Sequence, residues 1–120
     1  WAFANIDCLH RPGMEALSVA AQAKITECNP QALANISWSF ARLQFMDRPL
    51  MAAISRQAIL TMRQFESQNI ANTAWSLATL ACSDGPLLTA IAAQSGSTIA
   101  AFRCQDLANT AWAFGRLGLS

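Results

Sequence analysis

The segment QDLANTAWAF, residues 105–114, is the third version of one phrase in this chain. The phrase also occurs as QALANISWSF at 31–40 and as QNIANTAWSL at 68–77. The tryptophans follow the same spacing, each lying 37 residues after the one before: Trp1, Trp38, Trp75 and Trp112. A period of this length, kept without insertion or deletion, indicates a solenoid that stacks one supersecondary unit per repeat.

Each repeat contains two helical patterns. The first begins near a proline shared by all copies, and Asp47 and Asp84 are placed to cap it in two of them. Its apolar residues recur at helical spacing, and the same columns are found in all three repeats. They are Met14, Leu17, Ala21, Ile25 and Cys28 in the first repeat, Met51, Ile54, Ala58, Met62 and Phe65 in the second, and Leu88, Ile91, Ser95, Ile99 and Phe102 in the third. The second helix contains the phrase; in its first full copy Asn29 and Pro30 predict the start and Leu43 the end.

These patterns predict an all-α fold, an α-solenoid of about three 37-residue two-helix (helix-turn-helix) repeats. We expect a single array over 1–120, with a partial repeat at 1–9 and helix pairs at about 11–43, 48–80 and 85–117. Helices this short cannot bury an apolar face alone, so neighbouring repeats must stack. We also expect the array to be a fragment of a longer solenoid.

Composition excludes several function classes. The net charge is +1 and only 12% of residues are charged, so no strong electrostatic attraction to nucleic acid or to anionic membranes is expected. A hydrophobic content of 53% with so few charges favours a surface that is partly covered by protein. Residues 85–102 carry no charge, but Gln94 and Gly96 interrupt them, so we expect no membrane insertion.

The titratable residues do not form a recognisable catalytic or metal pattern. Cys8, Cys28, Cys82 and Cys104 contain no C-x-x-C pair, and His10 is the only histidine. We therefore expect no metal, no cofactor and no enzymatic activity. Free, mostly buried thiols in a reducing intracellular compartment are the favoured interpretation of the cysteines, and a disulfide pair stays open as the alternative.

On a helical wheel at about 100° per residue, the polar residues of the phrase share one side of the second helix. Stacking of the repeats would join them into one surface, which we call the polar strip: Gln31, Asn35, Ser39, Arg42, Gln68, Asn72, Ser76, Thr79, Gln105, Asn109 and Arg116. Helical-repeat RNA binders meet each base with a few side chains from one repeat, and amides and arginines bond base edges. The polar strip is therefore our candidate RNA-binding surface.

Each column of the strip has a structural alternative. The asparagines suit ligand contact and hydrogen bonding between adjacent helices equally well. The glutamines lie in the first helical turn, which favours a capping role. Ligand contact is favoured for the varying column, Arg42, Thr79 and Arg116. The tryptophans could stack on bases, but one per repeat at an apolar border favours inter-repeat core; we expect core positions also for Phe40, Phe65, Phe102 and Phe114.

The segments NPQALANISWSFARL (29–43), ESQNIANTAWSLATL (66–80) and RCQDLANTAWAFGRLG (103–118) resemble the signature helix of octotricopeptide repeat proteins. That family consists of α-solenoids related to the helical arrays of FAST-kinase-like proteins. The resemblance implies an organellar location, chloroplast or mitochondrion, and RNA binding by the polar strip. The family often has a lysine near the end of this helix, where the chain has Arg42, Thr79 and Arg116.

Two functions follow as expectations. The first is an RNA-binding segment of an organellar gene-expression factor or ribosome-associated protein, with single-stranded RNA or rRNA as partner. At about one base per repeat, three repeats would contact roughly three nucleotides. The second is a scaffolding α-solenoid that makes protein–protein contacts in a large organellar complex, with neighbouring subunits or further repeats of the same chain as partners.

Overall fold

A computed structural model describes the backbone of residues 2–118 and the side chains of residues 11–118. The described chain forms six α-helices: α1 (Ala2–Ala23), α2 (Pro30–Arg42), α3 (Arg48–Leu60), α4 (Ser67–Thr79), α5 (Gly85–Thr98) and α6 (Cys104–Arg116). A short 3-10 turn precedes α2, α4 and α6 in each repeat: Ile25–Glu27, Met62–Gln64 and Ile99–Ala101. No strand occurs within residues 2–118, so the predicted all-α fold is confirmed.

The helices form two layers. The inner layer contains the phrase-bearing helices, where α4 packs extensively against both α2 and α6. In the outer layer α3 contacts α1 on one side and α5 on the other. Small residues line the contacts of the inner helices and are fully buried, which permits the close approach: Ala34, Ala41, Ala71, Ala74, Ala78 and Ala113. The inner-layer helices are therefore the most closely packed helices of the stack.

Side-chain caps start the helices as the sequence indicated. The Asn29 Oδ1 atom accepts a hydrogen bond from the Ala32 amide at 2.8 Å, with Pro30 in the first turn. The Asp47 and Asp84 carboxylates accept from the Leu50 and Leu87 amides at 3.1 and 3.0 Å. Each cap satisfies a backbone donor that the helix itself leaves free. The capping predictions for these three residues are confirmed.

The starts of α4 and α6 use a different device. Their N-cap residues are Glu66 and Arg103, and the third helical residue bonds back to the N-cap amide. Asn69 Oδ1 accepts from the Glu66 amide at 3.0 Å, and Asp106 Oδ2 accepts from the Arg103 amide at 3.1 Å. This is the reciprocal half of a capping box, which fixes the entry of the chain into the helix.

The first repeat differs from the prediction. We expected the first outer helix to open near Pro12, but α1 begins at Ala2 and Pro12 lies inside it. Pro49 and Pro86, by contrast, lie in the first turn of α3 and α5. His10 stands in the column of the capping residues Asp47 and Asp84, so the feature that starts a separate helix in the later repeats is missing here.

The core is centred on the middle repeat. The predicted stripe Met51, Ile54, Ala58, Met62 and Phe65 is buried throughout. Between repeats, the Gln94 amide of α5 donates to the Phe65 carbonyl at 3.1 Å and to the Arg63 carbonyl at 3.3 Å, which ties α5 to the turn before α4. The end repeats are less covered, since Leu17 and Ile99 are 60% and 53% exposed. Within the described residues, no helix combines the length and apolarity needed for a bilayer crossing.

Candidate functional site

The outward side of α2 displays one residue from each of four consecutive turns. Gln31, Asn35, Trp38 and Arg42 are all exposed, while Leu33 and Phe40 on the opposite side are buried. The spacing of four, three and four residues places these side chains in one row along the helix axis. We call this row, together with its equivalents on α4 and α6, the open face: Gln31, Asn35, Trp38, Arg42, Gln68, Asn72, Trp75, Thr79, Gln105, Asn109, Trp112 and Arg116.

The serine column of the predicted polar strip does not belong to this surface. Ser39 is exposed, but Ser76 is fully buried and donates its hydroxyl to the Asn72 carbonyl at 2.7 Å. Ala113, the equivalent residue of α6, is also fully buried. Because α6 packs mainly on α4, this column points at the preceding inner helix, and within the described residues no inner helix precedes α2 to cover Ser39. Ser76 is therefore not available to a ligand.

Tryptophans lie beside the amides on the open face, and the expectation that they form the core is wrong for Trp38 and Trp112. Trp38 is 40% exposed and Trp112 is 47% exposed, while Trp75 is half-buried. The Trp38 and Trp75 rings lie 6.3 Å apart between centroids, tilted by 34°. Trp1 lies outside the described residues. Among the phenylalanines, Phe40 and Phe65 are buried as expected, and Phe102 and Phe114 are half-buried.

The amides of the open face make few internal hydrogen bonds. Gln105 Nε2 donates to Asn109 Oδ1 at 3.2 Å along one helix. Among the described residues, no hydrogen bond joins an asparagine side chain of this face to a neighbouring helix, and the glutamines do not cap. Asn35 is exposed, and Asn72 and Asn109 are half-buried. The structure therefore places these amides where solvent or a ligand satisfies their remaining donors and acceptors.

Arg42 and Arg116 are the last residues of α2 and α6, the two inner-layer helices that flank α4. The Arg42 guanidinium lies over the Trp38 ring, 5.2 Å from its centroid, in a cation–π contact. Within the described residues, neither Arg42 nor Arg116 has a carboxylate partner. Thr79, their equivalent on α4, is half-buried, and its hydroxyl is buried without a hydrogen-bond partner in the described part of the chain. The positive charge of the open face is thus confined to α2 and α6.

A polar cavity of about 390 Å³ lies at the amino ends of the inner helices. Gln31 and Asn35 of α2 and Gln68, Asn69 and Asn72 of α4 line it. Glu66 and Arg103, the N-cap residues of α4 and α6, bring one charge of each sign to its wall. The Arg103 Nε atom already contacts Asp106 Oδ2 at 3.4 Å. The Gln and Asn columns of this cavity were predicted from the sequence, whereas its other lining residues Glu66, Asn69 and Arg103 were not.

None of the cysteines with described side chains belongs to the open face. Cys28 and Cys82 are half-buried and Cys104 is exposed, all three as free thiols, so the expectation of mostly buried thiols is wrong for Cys104. The Cys8 side chain lies outside the described residues. Burial raises the pKa of the Cys82 thiol, the charge of Asp84 raises it further, and Arg48 partly opposes both. In the described part of the chain, no group of three His, Cys, Asp or Glu side chains is placed to hold a metal ion.

One family profile matches the chain, and it covers residues 2–120. Its description is RESC6, RNA-editing substrate-binding complex 6 protein. No curated protein and no solved structure matches the chain. The match is consistent with the RNA-related helical family that the resemblance implied, but the octotricopeptide assignment itself is not confirmed. Because the match extends over nearly all of its length, the chain belongs to the RNA-editing substrate-binding complex 6 (RESC6) protein family.

Proposed function

We propose that this chain is a binding module of an organellar RNA-editing substrate-binding assembly, and that its open face binds single-stranded RNA. The observation that carries the proposal is the composition of that face: amides on three adjacent helices that make no hydrogen bond to a neighbouring helix, exposed Trp38 and Trp112, and two arginines without acidic partners in the described residues. The family description supports a role in such an assembly. It favours the mitochondrion over the chloroplast as the organelle. The module acts by binding and not by catalysis.

The chemistry of the open face suits single strands better than duplexes. Unpaired bases expose a ring face to tryptophan and hydrogen-bonding edges to amides, and each stacked base contributes about 1–3 kcal/mol. Two arginines add little long-range attraction. With roughly 0.7 counterions released per phosphate on single strands, they give a slope of about −1.4 in log K against log salt. Binding is therefore expected to be weak and only moderately dependent on salt.

The test is fluorescence anisotropy with labelled 12-mer homopolymer RNAs across a salt series. Arg42→Ala combined with Arg116→Ala should weaken binding and flatten the salt dependence, while helicity and melting stay nearly unchanged because both side chains are exposed. The charge-matched control is Arg56→Ala with Arg63→Ala, two exposed arginines on α3 and the turn after it. Equal losses in both double variants would reject the open face as the binding surface.

A scaffolding role is the second candidate, and exposed apolar side chains favour it, including Leu60 of the middle repeat at 74% exposure. Leu17 and Val19 are 60% and 67% exposed in the first repeat, and Ile99 and Leu107 are 53% and 44% exposed in the last. Such side chains suit contact with protein. If the native chain binds no homopolymer at low salt with the open face intact, the scaffold becomes the better proposal.

A further inference from the structure

The chemistry of the open face changes along the helix axis in the same order on every inner helix. Gln31, Gln68 and Gln105 are each the second residue of their helix, and the asparagines follow one turn later. The tryptophans come next. Arg42, Thr79 and Arg116 are the last residues. Amides therefore form one edge of the face, aromatic rings its centre, and the arginines the other edge.

The amide edge suits a base and not a phosphate. The cavity there is lined by amides that both donate and accept hydrogen bonds, which matches the edges of nucleobases. Glu66 stands in the same wall and would repel a phosphate, and the Arg103 guanidinium is already paired with Asp106. A carboxylate in this position accepts from the exocyclic amine of a base instead.

The opposite edge suits phosphate. Arg42 and Arg116 have no carboxylate partner in the described residues, and arginine bonds phosphate with its planar fork. Arg42 follows Asn35 by seven positions, so the asparagines and the arginine edge lie about 10 Å apart along the helix axis at 1.5 Å rise per residue. That separation is comparable with the distance from the edge of a base to the phosphate of the same nucleotide. The exposed rings of Trp38 and Trp112 lie between them.

We propose that an RNA strand crosses the open face in one orientation, with its bases directed into the amide cavity and its phosphates along the Arg42–Arg116 edge. This inference rests on the proposed function. It adds an assignment of the bases to one edge of the open face and of the phosphates to the other. Base preference then depends on the amide edge and Glu66, and sequence-independent affinity depends on the arginines. The tryptophans hold the bases between these two edges by stacking.

The direct test is photocrosslinking of the full chain to a 12-mer RNA that carries 4-thiouridine, whose reactive sulfur is on the base. Mass spectrometry should place the crosslinks in the amino halves of the inner helices, at 31–38 and 66–75. Crosslinks concentrated at the carboxyl ends and following loops, 42–46 and 79–83, would overturn the orientation while leaving RNA binding established. Absence of binding by the native chain would overturn the proposed function and this inference with it.

A second measurement uses variants and an abasic 12-mer, which keeps the ribose-phosphate backbone without bases. Gln31→Ala with Asn35→Ala, both exposed, should reduce the differences in affinity among the homopolymers by up to about tenfold and leave abasic binding unchanged. Arg42→Ala with Arg116→Ala should weaken homopolymer and abasic binding by the same factor. An amide variant that weakens abasic binding as strongly as homopolymer binding would contradict the assignment of the bases to that edge.

Discussion

At the scale of single residues, one backbone conformation recurs where the inner helices end. Gln44 and Ala81 have φ values of 54° and 55°, and Gly118 occupies the same repeat column with φ 78°. The amide that follows bonds back into the last turn, from Phe45 to the Phe40 carbonyl at 2.9 Å and from Cys82 to the Leu77 carbonyl at 2.8 Å. This is the Schellman ending, in which glycine is the favoured residue because it has no Cβ to clash. The first two copies therefore hold non-glycine residues in a strained position.

Replacing Ala81 with glycine should stabilise the protein. The left-handed conformation costs an L-residue about 1–2 kcal/mol, and part of this gain is offset by the greater freedom of glycine in the unfolded chain. We expect Ala81→Gly to raise the free energy of unfolding by about 0.5–1 kcal/mol, measured by urea denaturation. The control Ala92→Gly, at an exposed position inside α5, should lower it by about 1 kcal/mol. A loss of stability in both variants would contradict the argument.

The cysteines differ enough in environment to react at different rates. Cys104 is exposed, whereas Cys82 is half-buried and the raised pKa of its thiol leaves less thiolate at any pH below that pKa. Iodoacetamide at pH 8 should therefore label Cys104 before Cys82, and labelling of Cys82 should accelerate as the pH rises further. Peptide mass spectrometry over time measures both rates. Faster labelling of Cys82 than of Cys104 at pH 8 would contradict the proposed effect of burial and of Asp84 on the Cys82 thiol.

At the scale of elements, α4 differs from its two equivalents because it has an inner-layer neighbour on both sides. Seven of its thirteen residues are buried, including the polar Thr73 and Ser76. In α6 only Asp106, Thr110 and Ala113 are buried. Near-identical sequence phrases thus have different environments in α4 and α6, because among the described helices α6 has an inner-layer neighbour on one side only.

The serine column tests this dependence on neighbours. Ser76→Leu should destabilise the protein by about 1–3 kcal/mol, because a larger side chain overfills a fully buried site. Ser39→Leu makes the same change in the same column, but Ser39 is exposed and the effect should stay within about 0.5 kcal/mol. Thermal and urea denaturation of the two variants provide the comparison. Similar losses in both would mean that this column is covered in the first repeat as well.

At the scale of the whole molecule, burial depends on position in the array. Leu17, Ile54 and Ile91 share one column of the outer layer and are 60%, 1% and 0% exposed. Leu33, Ile70 and Leu107 share one column of the inner layer and are 1%, 0% and 44% exposed. The first column loses its cover only in the first repeat and the second only in the last. Each repeat therefore completes the burial of its neighbours, as in other linear arrays.

Truncation along the outer-layer column should reproduce this order. Ile54→Ala is expected to cost about 2–5 kcal/mol, since it leaves a cavity in the core. Leu17→Ala should cost about 0.5 kcal/mol or less, because the side chain is largely in solvent already. Urea denaturation with fluorescence detection measures both, and the slope of the transition should stay constant. An equal cost at the two sites would argue against stacking as the source of stability.

The part of the open face that sequence analysis missed shows the limit of a helical wheel. A wheel places Trp38 within one turn of both Asn35 and Arg42, so geometry alone allowed it to join the polar surface. Hydrophobicity favoured the core for Trp38, and that assignment was wrong because the side of the helix that meets the preceding inner helix is the one occupied by Ser76 and Ala113. The direction in which neighbouring helices pack decides which residues beside the amides, the tryptophans or the serines, are buried. Glu66 and Arg103 line the cavity because packing between the helices brings the turns that contain them beside α2 and α4, which a helical wheel of one helix cannot show.

The 37-residue period, the capping residues and the apolar stripes were sufficient to determine an all-α stack of two-helix repeats, because these signals act locally and recur in every copy. The tertiary structure alone decided which side of each inner helix stays open, how far α1 extends and which end of the open face holds the polar cavity. These properties depend on contacts between residues distant in sequence. A repeated phrase specifies the same helix each time, whereas burial of a side chain depends on the helices packed beside it.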